Sequence, residues 1–341
     1  MSNLYKCGWD KKYWFLLIVL VSLSLFIHIH FWLTPSNYLE NEDIYYIWLE
    51  GKRIITGENP YGRVLMSDMR VNDKYATYFP LAYLFSALVQ KLGFREFSDW
   101  LYLWRPISFA FHTGIIALTL RQFQKQGLWI LGFVVSIIIL LSRWSIYIIR
   151  VHHLEFVAIF FLLFSLVILK DNKKLSLLMF SISLGIKQIG IFLLPLYLIY
   201  LWKNGTKKRP IKEVILGICI ILSIPFFTSL SFIIWNAEGF FKSIFFSATR
   251  LGTSHIENAP SVDVIFSQEF TWIIGFRAKL LMLFLMGMIY LSFLKEKVNI
   301  FLSSTMIMMT FLYFNSVLFL QYFMWFLCLI PFALVEVRRK K

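Results

Sequence analysis

Apolar residues run through this chain in long blocks separated by short polar links, a pattern that predicts helices crossing lipid rather than strands or soluble amphipathic helices. Blocks near the ~20 residues needed to span the hydrocarbon core fall at about 12–33, 101–120, 128–148, 154–169, 213–235, 272–294, 298–314 and 317–335. Two segments depart from the pattern. Residues 77–94 are short and open on Thr77-Tyr78-Phe79-Pro80, which predicts a short or re-entrant helix held within protein. Residues 175–202 are too long for one crossing and are interrupted by Gly185, Lys187, Gly190 and Pro195, which predicts a hairpin of two short helices with Lys187 and Gln188 at its tip. The expected fold is an all-α polytopic membrane bundle of roughly 9–11 transmembrane or re-entrant helices. It forms one domain over residues 1–341 and shows no internal repeat.

Composition agrees, because 59% hydrophobic and 19% aromatic residues in 341 leave too little polar surface to coat a soluble fold of this size. The net charge of +15 would suit a nucleic-acid partner, but its distribution argues against one. The links at 1–12, 121–127, 170–174, 203–213, 295–299 and 336–341 hold 19 of the 34 Lys and Arg against five acids. They therefore carry +14, and the rest of the chain only +1, the positive-inside pattern. Both termini are then expected in the cytoplasm, with outer loops at about 34–76 and 236–270. The first span is read as retained, because it is long and lacks a small-residue cleavage site. Cys7, Cys219 and Cys328 have no spacing that predicts a disulfide framework or a metal site.

This arrangement gathers the chemically interesting side chains on the outer face: Asp43, His152, His153, Glu155, Lys187, Arg250, His255 and Gln321. Carboxylates at a membrane edge are expensive to desolvate, so Glu40, Glu42 and Asp43 directly behind a span mark a place to expect chemistry. Within 236–270, Gly239-Phe240-Phe241-Lys242-Ser243-Ile244-Phe245-Phe246 is amphipathic and is expected to lie flat in the interface.

Asp43-Ile44-Tyr45, then Gly57-x-Asn59-Pro60-Tyr61-x-Arg63, then Tyr78-Phe79-Pro80-Leu81 resembles the first outer loop of GT-C glycosyltransferases. Gln321-Tyr322-Phe323-x-Trp325 is similar to a segment of their polyprenyl-phosphomannose-dependent mannosyltransferase branch. The resemblance implies an inverting transferase moving a hexose, mannose favoured, from a polyprenyl-phosphate donor to a lipid or glycan acceptor at the outer face. Membrane lipids are its other partners. Such a reaction needs a general base for the acceptor hydroxyl and positive charge for the departing phosphate.

By the resemblance Asp43 is the base, although Asp before Ile-Tyr-Tyr is also a good helix N-cap. The donor phosphate and sugar are assigned to Lys187, Gln188, His152, His153, Glu155, Arg250, His255, Gln321 and Tyr322. Several have other readings. Lys187 could simply pair with Glu155, Arg250 could contact anionic lipid, and Tyr322 and Trp325 could belong to the interfacial aromatic belt. His152 and Glu155 are expected to share one helix face, as are Gln321 and Trp325. Gly57, Asn59, Pro60 and Tyr61 read as loop-shaping residues, and Arg63 as a contact to phosphate or to a loop acid. The branch's paired acids are replaced here by Asn41 and Asp43. No cofactor is therefore read from the chain; if a divalent cation is used, Glu42 and Asp43 are its ligands. A transporter or flippase of lipid-linked sugars is the alternative, and a polysaccharide polymerase ranks third.

Overall fold

The computed structural model describes residues 11–36, 38–66, 74–205, 210–249, 276–315 and 318–338. Among them all regular structure is helical, and the chain is an all-α polytopic membrane protein. Arg250 and His255 lie outside the described residues.

The first helix, α1 (Lys11–Leu33), is apolar on every side and leaves Phe15, Ile18, Phe26 and Leu33 exposed. Such a surface suits lipid and not water. It packs antiparallel on α4 (Phe97–Gln124), with Arg121 over the Tyr13 ring at one end and His28 against Phe109 and His112 at the other. Between them lie α2 (Asp43–Ile55) and α3 (Leu81–Lys91), two short helices packed on each other. Gly51 permits their close approach: a Cβ there would stand 2.5 Å from Ser86 Oγ and 2.9 Å from the Ala87 backbone nitrogen. Gln90 ties the pair by donating to the Trp48 carbonyl at 2.9 Å.

The apolar block at 128–148 is not one straight span. It divides into α5 (Trp129–Leu141) and α6 (Arg143–Val151), which meet at 49°. Ser142 makes the break, its hydroxyl accepting from the Ser145 amide as the cap of α6. Then α7 (Glu155–Ile168) runs away from this turn and α8 (Lys173–Ile186) returns, joined where Ser165 donates to the Ser176 carbonyl and where Ser183 donates to that of Ala158. The chain reverses again through a 3-10 turn, Gln188–Leu193, into α9 (Leu194–Asn204). Phe180 stacks on Tyr197 at 4.3 Å and Lys173 reaches the Asn204 carbonyl, so the expected hairpin forms with Lys187 at its tip.

Helix α10 (Pro210–Trp235) crosses behind α8, and with α1 it is long and apolar enough to span a membrane alone. It leads into α11 (Ala237–Thr249), which covers the expected amphipathic piece. Part of its apolar face is committed to protein, since Phe240 is buried against Tyr61, while Phe241 and Phe245 remain exposed. The last elements are α12 (Phe276–Leu294), α13 (Ile300–Phe314), α14 (Phe323–Leu327) and α15 (Ile330–Arg338). The final apolar helix runs Leu320–Glu336 and opens on a 3-10 turn, Leu320–Tyr322, that carries Gln321; Gln321 and Trp325, four residues apart, are both buried.

The basic links meet at one end of the bundle. Lys170 bonds Glu336 at 2.7 Å and Lys203 bonds Glu296 at 2.6 Å. Lys125, Lys170, Asp171 and Glu336 line a hollow of about 140 Å³ there. Asp43, His153, Lys187 and Gln321 gather at the other end, because α7 and α8 carry the chain the length of the bundle and back.

Close approach at Gly51 generates a test. Gly51→Val should lower the thermal melting point through overpacking of about 1–3 kcal/mol, measured on protein in detergent; an unchanged melting point would mean that α2 and α3 are not held this tightly.

Candidate active site

Asp43 occupies the first turn of α2, and the N-cap position belongs to Glu42, which makes no side-chain capping bond. The Asp43 carboxylate is therefore free for other partners. Tyr78 donates to its Oδ2 at 2.6 Å, His153 Nδ1 stands 3.2 Å from the same oxygen, and Lys187 Nζ stands 3.8 Å from it. All these contacts fall on Oδ2. Among the described residues Oδ1 has no protein partner.

His153 is held by three carboxylates, because its Nε2 also lies 3.2 Å from Glu42 Oε2 and its Nδ1 lies 3.7 Å from Glu155 Oε2. Nε2 makes the hydrogen bond, to Glu42, while Nδ1 approaches Asp43 and Glu155 without hydrogen-bond geometry; surrounded by three carboxylates, the imidazole is best accommodated as a cation. Burial alone would lower its pKa, but the charges of Asp43 and Glu155 and the bonds to Asp43 and Glu42 outweigh that and raise it to about 9. Burial likewise would raise Asp43, but His153 first, then Lys187 and Lys74, hold it well below the usual carboxylate range. Lys187 and Glu155, both buried, form a tight ion pair directly beneath. The Lys187 ammonium also lies 4.9 Å from the Tyr78 ring centre and 5.7 Å from that of Tyr322.

A cavity of about 170 Å³ opens above this cluster, lined by Glu42, Asp43, Lys74, Tyr78, His153 and Gln321 among others, with Tyr322 also on its wall. Several expected donor-binding residues are not there. His152 adopts a left-handed conformation (φ 57°) before α7 begins, so it does not share a helix face with Glu155, and the consecutive rings of His152 and His153 have different surroundings. Gln188 spends its amide on the Thr77 carbonyl at 2.6 Å and so holds the loop leading to Tyr78. Glu155 and Lys187 neutralise each other under the floor. Arg63 is not a phosphate ligand in this structure: it donates to Glu50 Oε1 at 2.9 Å, an oxygen that Arg53 also bonds at 2.7 Å. Burial raises Glu50 to about 7 against the lowering charges of Arg53 and Arg63.

The loop motif reaches the site through Tyr78. Gly57 turns the chain at φ 83°, and the Tyr61 amide donates to Asn59 Oδ1 at 3.0 Å in an Asx turn. The Tyr61 hydroxyl then donates to the Tyr78 carbonyl at 2.7 Å, while the Tyr78 amide donates to the Tyr83 hydroxyl at 3.3 Å. Helix α11 closes over Tyr61, and Gly239 allows this, since a Cβ there would lie 2.7 Å from the Tyr61 carbonyl oxygen. Tyr78 and Lys74 were missed as site residues from sequence. Tyr78 was visible as part of the Tyr-Phe-Pro-Leu element; nothing local marks Lys74, whose amine bonds the Asn41 carbonyl at 2.8 Å and faces the Tyr46 ring at 4.8 Å.

Glu42 and Asp43 are the carboxylates that could hold a cation, yet both face His153 instead of converging on a shared point. Among the described residues no group of three His, Cys, Asp or Glu is arranged to ligate a metal.

Residues 106–252 match the family described as ALG3 protein, dolichyl-phosphate-mannose-dependent mannosyltransferases of the GT-C class. The match supports the GT-C superfamily. It spans α4 to α11, and so includes His153, Glu155 and Lys187 but neither Asp43 nor Gln321. No curated protein and no solved structure matches the chain.

The charge cluster predicts a pH response. His153, raised from 6.5 to about 9, contributes stability that is complete below pH 6.5 and lost as pH rises through 9. Asp43, depressed, contributes stability that is complete above its ordinary 3.8 and lost as pH falls toward its lowered value. Thermal melting of the wild type should therefore decline from pH 7 to pH 10 by roughly 3 kcal/mol more than that of His153→Gln. Parallel profiles for the two proteins would refute the imidazolium assignment.

Proposed function

We propose that the chain is a GT-C type inverting hexosyltransferase, taking mannose by preference from a polyprenyl-phosphate donor at the outer membrane face. The observation that carries this reading is the setting of Asp43: its Oδ2 accepts from the Tyr78 hydroxyl and lies beside His153 and Lys187, its Oδ1 has no protein partner among the described residues, and the residue lines a cavity. That is the arrangement a general base requires, one oxygen locked and the other presented to a substrate hydroxyl. In the reaction the acceptor oxygen attacks the anomeric carbon as the bond to the phosphate oxygen breaks. The proton passes to Asp43 Oδ1, and polyprenyl phosphate leaves with the bonding electrons.

A carboxylate held far below its usual range is a weak base at rest. Arrival of a donor phosphate adds negative charge nearby, weakens the hold of His153 and Lys187, and raises the proton affinity of Asp43 when the acceptor hydroxyl is present. Lys74 is the cavity-lining cation without a carboxylate partner among the described residues, which suits it to the charge of the leaving phosphate. Gln321 and Tyr322, on the facing wall, supply an amide and a hydroxyl for sugar oxygens. The family match supports mannose and a lipid-linked donor, and its span leaves the acceptor to the cavity itself.

Proteoliposomes supplied with polyprenyl-phosphate mannose and an acceptor lipid extract test the proposal. Asp43→Asn should reduce transfer by about 10²–10⁴-fold, and Tyr78→Phe by about tenfold through loss of one charge-assisted hydrogen bond. Equal transfer by well-folded wild type and Asp43→Asn would remove Asp43 as base. Movement of intact donor across the bilayer without discharge to polyprenyl phosphate would identify a transporter instead.

A further inference from the structure

Helix α6 delivers His153 to its carboxylates, yet at nine residues it is too short to hold a direction unaided. It ends where His152 turns left-handed (φ 57°), and the His153 amide donates back to the Ile148 carbonyl at 3.2 Å. The His153 ring therefore goes where α6 points. Ser145 lies roughly two turns before this end, about 10 Å along the axis. A tilt of about 10° pivoting there would carry the turn about 2 Å, enough to break contacts of 3.2 Å.

One buried side chain on α4 reaches the elements on both sides of the turn. His112 is fully buried, and its Nε2 lies 3.0 Å from Ser145 Oγ on α6. Its ring stacks on Phe156 in the first turn of α7, with centres 4.2 Å apart and planes 13° from parallel. Phe156 follows Glu155, one of the three carboxylates around His153. From the same helix Trp104 Nε1 donates to the His152 carbonyl at 2.9 Å. Trp144 of α6 also stacks on Phe323, a contact that fixes no hydrogen-bonding direction.

His112 Nδ1 in turn lies 3.2 Å from His28 Nε2 on α1. No described carboxylate bonds either ring, and each neutral imidazole carries one ring hydrogen. His28 Nδ1 is buried without a partner. A lone pair is more readily left unmet there than an N–H, which places the His28 hydrogen on Nε2. The bonds then run one way: His28 donates to His112 Nδ1, and His112 Nε2 donates to Ser145.

We propose that His112 is a positioning residue, which by donating to Ser145 and stacking on Phe156 sets α6 and α7 so that His153 stands between Glu42, Asp43 and Glu155. His112 does not line the cavity at Asp43. That this placement serves transfer rests on the function proposed above; that His112 governs the placement does not.

Titration of the His153 imidazole reports its surroundings. The groups that face it are Glu42 and Asp43 of α2, Glu155 of α7, the Tyr147 ring of α6 at 5.8 Å, and Lys187, whose amine lies beside Glu155 and Asp43. Full-length protein labelled with ¹⁵N-histidine in nanodiscs gives six histidines to follow by NMR, and His153→Gln identifies the signal. Wild type should titrate near 9. Ser145→Ala should lower the midpoint by about one unit, as should His112→Asn, which keeps an acceptor for His28 but cannot reach Ser145. His112→Gln, whose amide reaches as far as Nε2, should fall between these and wild type. His28→Phe, which removes only the bond to α1, should lower the melting temperature and leave the midpoint at the wild-type value. In proteoliposomes Ser145→Ala should lower kcat for mannose transfer about tenfold with KM unchanged. If the wild type transfers no sugar, the proposed reaction fails and the titration still decides what places His153. Should His112→Asn not fold, Ser145→Ala, the loss of one hydroxyl, carries the test. A wild-type midpoint in folded Ser145→Ala, or an equal displacement in His28→Phe, overturns the proposal.

Discussion

One histidine among three carboxylates organises the polar end of this bundle. His153 comes from the turn before α7, Glu42 and Asp43 from the start of α2, and Glu155 from the start of α7. No element here could place its charge in so apolar a setting alone, since an unpaired buried ion costs several kcal/mol. The cluster also contains Lys187, from the tip of a hairpin that runs the length of the bundle. Lys74, which lines the cavity and acts on Asp43, adds a third cation to the three acids. Asp43 lines the same cavity and keeps one oxygen unengaged.

The hydrogen bonds around Tyr78 explain why the loop motif and the acid belong together. Tyr61 fixes the Tyr78 carbonyl, Tyr83 accepts from its amide, Gln188 holds the preceding Thr77, and the Tyr78 hydroxyl fixes Asp43. The Asn-Pro-Tyr turn is thus a loop-shaping device whose effect is delivered two contacts away. Helix α11 seals it from above through Phe240 and Ser243, the latter donating to the Ala76 carbonyl at 2.6 Å. This lattice of short contacts removes rotational freedom from the Asp43 side chain.

Much of the architecture was legible along the chain because lipid imposes length and apolarity on each crossing. The hairpin at 175–202 followed from its glycines, its lysine and the parity of charged links, and the short helix after Pro80 followed from its length. The break at Ser142 was not legible, because a serine inside an apolar block carries no signal of its own. The site divided in the same way. Asp43, Lys187, His153 and Gln321 read as polar residues out of place in an apolar context and gather at one end of the bundle, whereas His152, read as sharing a helix face with Glu155, and Gln188, read at the hairpin tip, face other partners. Lys74 had no such signal, being one lysine in a polar loop.

What the sequence by itself determined is the medium, the helical class, the common end for the basic links and the presence of acids directly behind the first span. These depend on hydropathy and charge, quantities that are local and additive. Which charge meets which was decided only by tertiary structure. Histidines 152 and 153 are neighbours in the chain, yet His153 enters a cage of carboxylates and His152 is buried with both ring nitrogens unpartnered. A left-handed turn at residue 152 separates them, and its outcome depends on α2, α4 and α7 converging from distant parts of the chain. Ion pairs in a low-dielectric interior are fixed by distances of a few ångströms, and no one-dimensional pattern contains those distances.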